Sequence, residues 1–80
     1  MTIEQLKEAL VNKKPVIVNS PGLENVEYLF VSAIIYRHSD GKYIVTAEVQ
    51  DRSSRSVSIV NPRHIKYKEE SEVAGQSEDK

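Results

Sequence analysis

Residues 28–51 read YLFVSAIIYRHSDGKYIVTAEVQD, with two apolar-rich runs on either side of Asp40-Gly41. An Asp-Gly pair between two such runs is the strongest short-range signal for a β-hairpin, because both residues tolerate the positive φ angles of a tight hairpin turn. The stretch therefore predicts two antiparallel strands and a mainly β fold.

The two predicted hairpin strands differ in their apolar pattern. The second run, residues 42–50, carries Tyr43, Val45, Ala47 and Val49 on one face and Lys42, Thr46, Glu48 and Gln50 on the other. This alternation is typical of a strand with one buried face and one wet face. The first run, residues 29–36, is apolar on both faces, which predicts a strongly bent strand of the kind that small barrels need. A two-residue loop would pair Tyr36 with Val45 and a three-residue loop with a glycine bulge would shift the pairing by one, so both registers stay open.

Helix, turn and strand signals flank the hairpin. Thr2 and Gln5 form a capping box before an amphipathic helix over residues 3–12, and the Pro15 that follows ends it. Further short strands are predicted at Val16–Val18, Val57–Ile59 and Ile65–Tyr67, with a single helical turn over Pro62–His64 behind Asn61. We therefore predict a mainly β (α+β) fold with a short N-terminal helix on a five-stranded, curved antiparallel small barrel. Its element order is that of SH3-like and Sm-like barrels.

Charge divides the chain into a domain and a tail. Residues 51–68 contain Arg52, Arg55, Arg63, Lys66 and Lys68 against Asp51 alone, whereas residues 69–80 are acidic and lack a periodic apolar pattern. We predict one domain over residues 1–68 and a disordered acidic tail over residues 69–80. Without its tail the chain is only mildly basic, far from the domains that bind nucleic acid by charge alone.

The amino-acid composition indicates the cellular compartment. The chain has no cysteine, so no disulfide or thiolate metal site is available, which suits a reducing cytosol. No apolar run approaches the roughly 18 residues that a membrane span requires, and Glu4, Lys7 and Glu8 interrupt the region where a signal peptide would be apolar. We expect a cytoplasmic protein with no membrane partner.

Catalytic and metal-binding patterns are weak. His38, Ser39 and Asp40 have the residue types of a nucleophilic triad, but consecutive residues at a hairpin tip cannot form its relay of hydrogen bonds. His38 and His64 match no known metal-ligand spacing, and no glycine-rich phosphate loop is present. We predict a non-enzymatic protein with no catalytic residues, metal or cofactor.

One cluster has a plausible functional interpretation. The candidate partner-binding residues are Arg52, Arg55, Arg63, His64, Lys66 and Lys68. They form one patch if the loop and the last strand adjoin, and Tyr36 and Tyr67 would add stacking surfaces for the bases of a single-stranded nucleic acid. Three alternatives stay open, namely charges that only keep edge strands soluble, a protein or other anionic partner, and a nucleic acid. The sequence leaves the oligomeric state open.

Four segments carry a resemblance to known proteins. They are VSAIIYR at 31–37, GKY at 41–43, AEVQD at 47–51 and SIVNP at 58–62. Over about residues 26–65 the chain resembles small uncharacterised proteins encoded in phages and prophages of low-GC Gram-positive bacteria. The resemblance implies a phage accessory protein that binds a host or phage protein complex, for example as an antagonist of host defence. The alternatives to this function are binding of a single-stranded nucleic acid or a nucleotide ligand through the basic cluster, and a role in phage structure or assembly.

Overall fold

The computed structural model describes residues 1–68, in which one helix is followed by six β-strands in two antiparallel sheets. The elements are α1 (Ile3–Asn12), β1 (Val16–Ser20), β2 (Leu23–Tyr28), β3 (Val31–Ser39), β4 (Lys42–Gln50), β5 (Val57–Val60), a 3₁₀ turn (Pro62–His64) and β6 (Ile65–Tyr67). The first sheet has the order β2-β1-β6 and the second β3-β4-β5. The predicted mainly β fold with an N-terminal helix is confirmed, whereas the predicted strand number of five is wrong. The acidic tail predicted for residues 69–80 lies outside the described residues.

The predicted helix and turn caps are present. The backbone nitrogen of Gln5 donates to Thr2 Oγ1 at 3.2 Å, and the backbone nitrogen of Thr2 donates to Gln5 Oε1 at 2.9 Å. These two bonds satisfy two of the amide groups that a helix start leaves without partners. Asn61 caps the 3₁₀ turn in the same way, since its Oδ1 accepts from the backbone nitrogen of Arg63 at 3.0 Å.

The strand missed in the sequence is β2. Pro21 and Gly22 form a two-residue turn that pairs Ser20 with Leu23, and Gly22 takes the positive φ of 83° that such a turn requires. The ladder then shifts register before Val18 pairs with Val26, and Asn25 in this irregular stretch has a φ of 50°. Such bulges break the alternation by which a strand is recognised in a sequence.

The structure decides the hairpin register that the sequence left open. Ser39 pairs with Lys42 and Tyr36 with Val45, so the loop has two residues. Asp40 and Gly41 have φ angles of 50° and 75°, as a two-residue turn with two left-handed positions requires. The ladder shifts register between Val31 and Ala33, so Ser32 is a bulge residue and bends β3.

One hydrophobic core joins the helix and both sheets. Its buried residues are Leu6, Ala9, Val16, Val18, Tyr28, Val31, Ala47, Val49, Val60, Ile65 and Tyr67. In β4 only Ala47 and Val49 belong to this core, and every residue from Tyr36 to Ile44 is exposed. The distal half of the β3–β4 hairpin therefore lies beyond the core.

Candidate binding surfaces

The last strand aligns part of the predicted cluster on one face of the first sheet. Ile65 and Tyr67 of β6 are buried in the core, so the alternate positions of His64, Lys66 and Lys68 lie on the opposite, outer side. Lys66 pairs across the sheet with Ile17, which in turn pairs with Glu27 of β2. His64 Nδ1 lies 3.2 Å from the carbonyl oxygen of Asn19 in β1.

A carboxylate joins the loop before β5 to this strand. Glu27 Oε2 lies 3.1 Å from Lys68 Nζ, and its other oxygen lies 3.5 Å from Arg52 Nη1. The Glu27 side chain is 24% exposed, so this pairing is partly shielded from water. We call the surface formed by His64, Lys66, Lys68, Arg52 and Glu27 the mixed-charge face. Both partners of Glu27 are distant from it along the chain, so no local sequence pattern indicated this pairing.

Two of the six predicted residues are not joined to this face by a side-chain hydrogen bond or an ion pair. Arg55 lies in the loop between β4 and β5, and Arg63 lies in the 3₁₀ turn, where both are exposed. Within residues 1–68, neither side chain has a hydrogen-bond or ion-pair partner. The loop itself is ordered by Asp51, whose Oδ1 accepts from the backbone nitrogen of Ser53 at 2.8 Å.

The proposed stacking role of Tyr67 is wrong. Tyr67 is 8% exposed and its hydroxyl donates to Glu8 Oε1 at 2.8 Å, while Lys14 Nζ lies 5.7 Å from the ring centroid. A base cannot stack on a ring that is already covered by protein. Tyr36 is 50% exposed, but it belongs to the second sheet. The two tyrosines therefore do not form one stacking surface.

The second sheet has an apolar surface that the sequence analysis missed. The side of the sheet opposite the core carries Ala33, Ile35, Arg37 and Ser39 from β3, Lys42, Ile44, Thr46, Glu48 and Gln50 from β4, and Val57 and Ile59 from β5. We call this surface the outer face. Ile44, Ile59 and Val57 are 51%, 47% and 43% exposed. This side of β4 is at least partly exposed, as predicted, but it is not uniformly polar, because Ile44 lies on it and Ile35 of β3 and Ile59 of β5 lie on the same side of the sheet.

The residues considered for catalysis and metal binding lie apart. His38, Ser39 and Asp40 are exposed at the end of the β3–β4 hairpin, and the His38 ring packs edge-on against Tyr43 at 5.1 Å between centroids. His64 lies beside the first sheet. Residues 1–68 contain no group of three or more metal-ligating side chains placed to hold a metal ion.

Comparison with models of protein families, with curated proteins and with solved structures finds no match to this chain. Among residues 1–68, no helix is long and apolar enough to cross a membrane.

Proposed function

We propose that this chain is a non-enzymatic binding module whose partner is a protein with an acidic surface, bound at the mixed-charge face. The observation that carries the proposal is the alignment of His64, Lys66 and Lys68 on the outer side of β6, with Arg52 joined to them through Glu27. Opposite charges at an interface steer the encounter of two proteins and set their orientation.

The position of Glu27 favours a protein over a nucleic acid. The Glu27 carboxylate lies between Arg52 and Lys68, two of the cations that would contact phosphates. The negative charge of the carboxylate would itself repel those phosphates. A binding site for a polyanion instead depends on several uncompensated cations, each of which releases counterions when it contacts a phosphate. A protein surface offers carboxylates for the cations and donors for this carboxylate side by side, whereas a phosphate backbone places negative charge next to it.

Capture from a lysate of the native host, combined with charge reversal, tests the proposal. Lys66→Glu changes an exposed residue of the mixed-charge face, and Lys7→Glu makes the same change on α1 as a matched control. The captured protein is then purified and its affinity for each variant is measured by calorimetry. We expect Lys66→Glu to weaken binding by at least about fivefold and Lys7→Glu by less than about twofold.

Binding of a random single-stranded oligonucleotide tests the alternative that the partner is a nucleic acid. We expect it to bind the wild-type chain more weakly than about 10 μM at physiological salt, since this face can neutralise few phosphates. Submicromolar affinity with a steep salt dependence would overturn the protein proposal in favour of a nucleic acid. A purified partner that binds wild type and Lys66→Glu equally would show that the binding site lies elsewhere.

We further propose a phage or prophage setting for this chain and a relationship of its fold to SH3-like small barrels. The resemblance over residues 26–65 supports a cytoplasmic phage or prophage accessory protein that acts on a host or phage complex. The order of one helix, several strands, a 3₁₀ turn and a last strand supports a relationship to SH3-like small barrels, with β2 added and the strands divided between two sheets.

A further inference from the structure

We propose that a second copy of this chain covers the outer face of the β3-β4-β5 sheet and forms a two-fold symmetric dimer with antiparallel strand directions. This inference concerns the sheet that does not carry the mixed-charge face, and it goes beyond the proposed function.

The apolar character of the outer face calls for a covering layer. An antiparallel sheet with one face in water normally carries polar residues on that face. Here the central rows carry Ile35 beside Thr46, and Ile59 beside Glu48, while Ile44 follows in the next row toward the hairpin end. Three of the large aliphatic side chains on this face are between 43% and 51% exposed, and with Ile35 they place four large aliphatic residues on one side of a three-stranded sheet.

The size of the face fits a weak dimer. The nine residues of β3 and of β4 span about 30 Å by about 10 Å, and the four residues of β5 add about 13 Å by about 5 Å, which gives about 350 Å² in projection for each copy. Because side chains make the accessible area larger than the projection, we expect a total buried area of about 1,000 Å². This is the lower limit for a specific interface, so the dissociation constant should lie in the micromolar range.

Charge decides the relative direction of the two copies. Arg37 lies opposite Ile44 near the hairpin end, whereas Glu48 lies about 14 Å further along the strands, on the other side of the Ile35–Thr46 row. A two-fold axis along that row runs perpendicular to the strands and reverses the strand direction of the second copy. Arg37 of each copy then lies over the end of the other copy's sheet that carries Glu48. An axis parallel to the strands would instead place Arg37 beside Arg37 and Glu48 beside Glu48, which costs energy through like-charge repulsion.

Sedimentation equilibrium of the full chain over about 5–500 μM tests the dimer. We expect wild type to dimerise with a micromolar dissociation constant, and Ile44→Lys to raise that constant at least about tenfold. Tyr43→Lys is the matched control, because Tyr43 is the neighbouring residue, is 74% exposed and lies on the opposite side of β4. It should change the constant by less than about twofold.

A charge exchange tests the direction of the strands. Arg37→Glu should weaken the dimer about three- to tenfold, and the double variant Arg37→Glu with Glu48→Arg should restore it to within about threefold of wild type. Residues about 14 Å apart in one chain have no direct contact, so such a rescue must act between copies. Circular dichroism melts of each variant report whether it is folded.

Three results would overturn the proposal. Wild type could remain monomeric up to 500 μM, folded Ile44→Lys could dimerise as well as wild type, or the charge exchange could fail to restore the dimer. A dimer that loses affinity with Tyr43→Lys and not with Ile44→Lys would assign the contact to the other side of the hairpin.

Discussion

The hydroxyl of Tyr67 links the last strand to the N-terminal helix, and its removal gives a measurable loss of stability. It donates to the carboxylate of Glu8 at 2.8 Å and lies 3.2 Å from the carbonyl oxygen of Gln5. Tyr67→Phe removes this hydroxyl and leaves the buried ring in place. The change therefore isolates the hydrogen bonding from the apolar packing.

The expected loss is about 1–2 kcal/mol of unfolding free energy. Hydrogen bonds to a charged group contribute about 1.5–3 kcal/mol, but Glu8 is exposed and regains water when its donor is removed, which places the net cost at the low end. Unfolding entropy of about 2.1 cal/mol/K per residue gives about 0.17 kcal/mol/K for a chain of 80 residues. The melting temperature should therefore fall by about 6–12 °C.

Thermal and urea melts followed by circular dichroism measure this change, with Tyr43→Phe as the matched control. The ring of Tyr43 is 74% exposed, so its loss of a hydroxyl should shift stability by less than about 0.5 kcal/mol. A double-mutant cycle with Glu8→Ala should give a coupling energy of about 1 kcal/mol. If Tyr67→Phe melts within 2 °C of wild type, or if the coupling is zero, the reasoning about this link is wrong.

Three further substitutions test the core, the turn and the ion pairs. Leu6→Ala removes a fully buried side chain of α1 and should cost about 3–5 kcal/mol in a urea melt, whereas Val11→Ala, at 78% exposure on the same helix, should cost less than about 0.5 kcal/mol. Gly41→Ala should cost about 1–2 kcal/mol by the same measurement, because φ is 75° there while the added methyl group meets no atom within 4 Å; a neutral result would contradict the left-handed turn. Glu27→Gln should lower the free energy of unfolding by less than about 1.5 kcal/mol. It should also tighten oligonucleotide binding in an anisotropy titration, because Arg52 and Lys68 lose the carboxylate that neutralises them. Weaker oligonucleotide binding would contradict the assigned role of Glu27.

Signals within a few residues predicted the local elements correctly. Thr2 and Gln5 fixed the helix start, Asn61 and Pro62 fixed the 3₁₀ turn, and Asp40-Gly41 fixed the hairpin. In each case the partners of the decisive hydrogen bonds or backbone angles are at most three residues apart. Such interactions form in the same way in many tertiary contexts.

The strand β2 and the outer face were missed for different reasons. A register shift beside Asn25 broke the alternation that would have marked β2, and the Pro21-Gly22 turn looked like the end of a strand instead of a hairpin. The outer face had a readable signal in Ile44, but its apolar character depends on Ile35 and Ile59 from neighbouring strands. Only the strand pairing places these three side chains on the same side of one sheet.

The sequence by itself determined the mainly β class, the helix, the central hairpin and the set of six basic or histidine residues between positions 52 and 68. These features follow from local conformational preference and composition. The tertiary structure alone decided which of those residues share a surface. It joined Arg52 and Lys68 through Glu27 and buried Tyr67 under α1. Contacts between residues about 25–60 positions apart depend on how the two sheets pair and pack, and no local pattern in the chain records that arrangement.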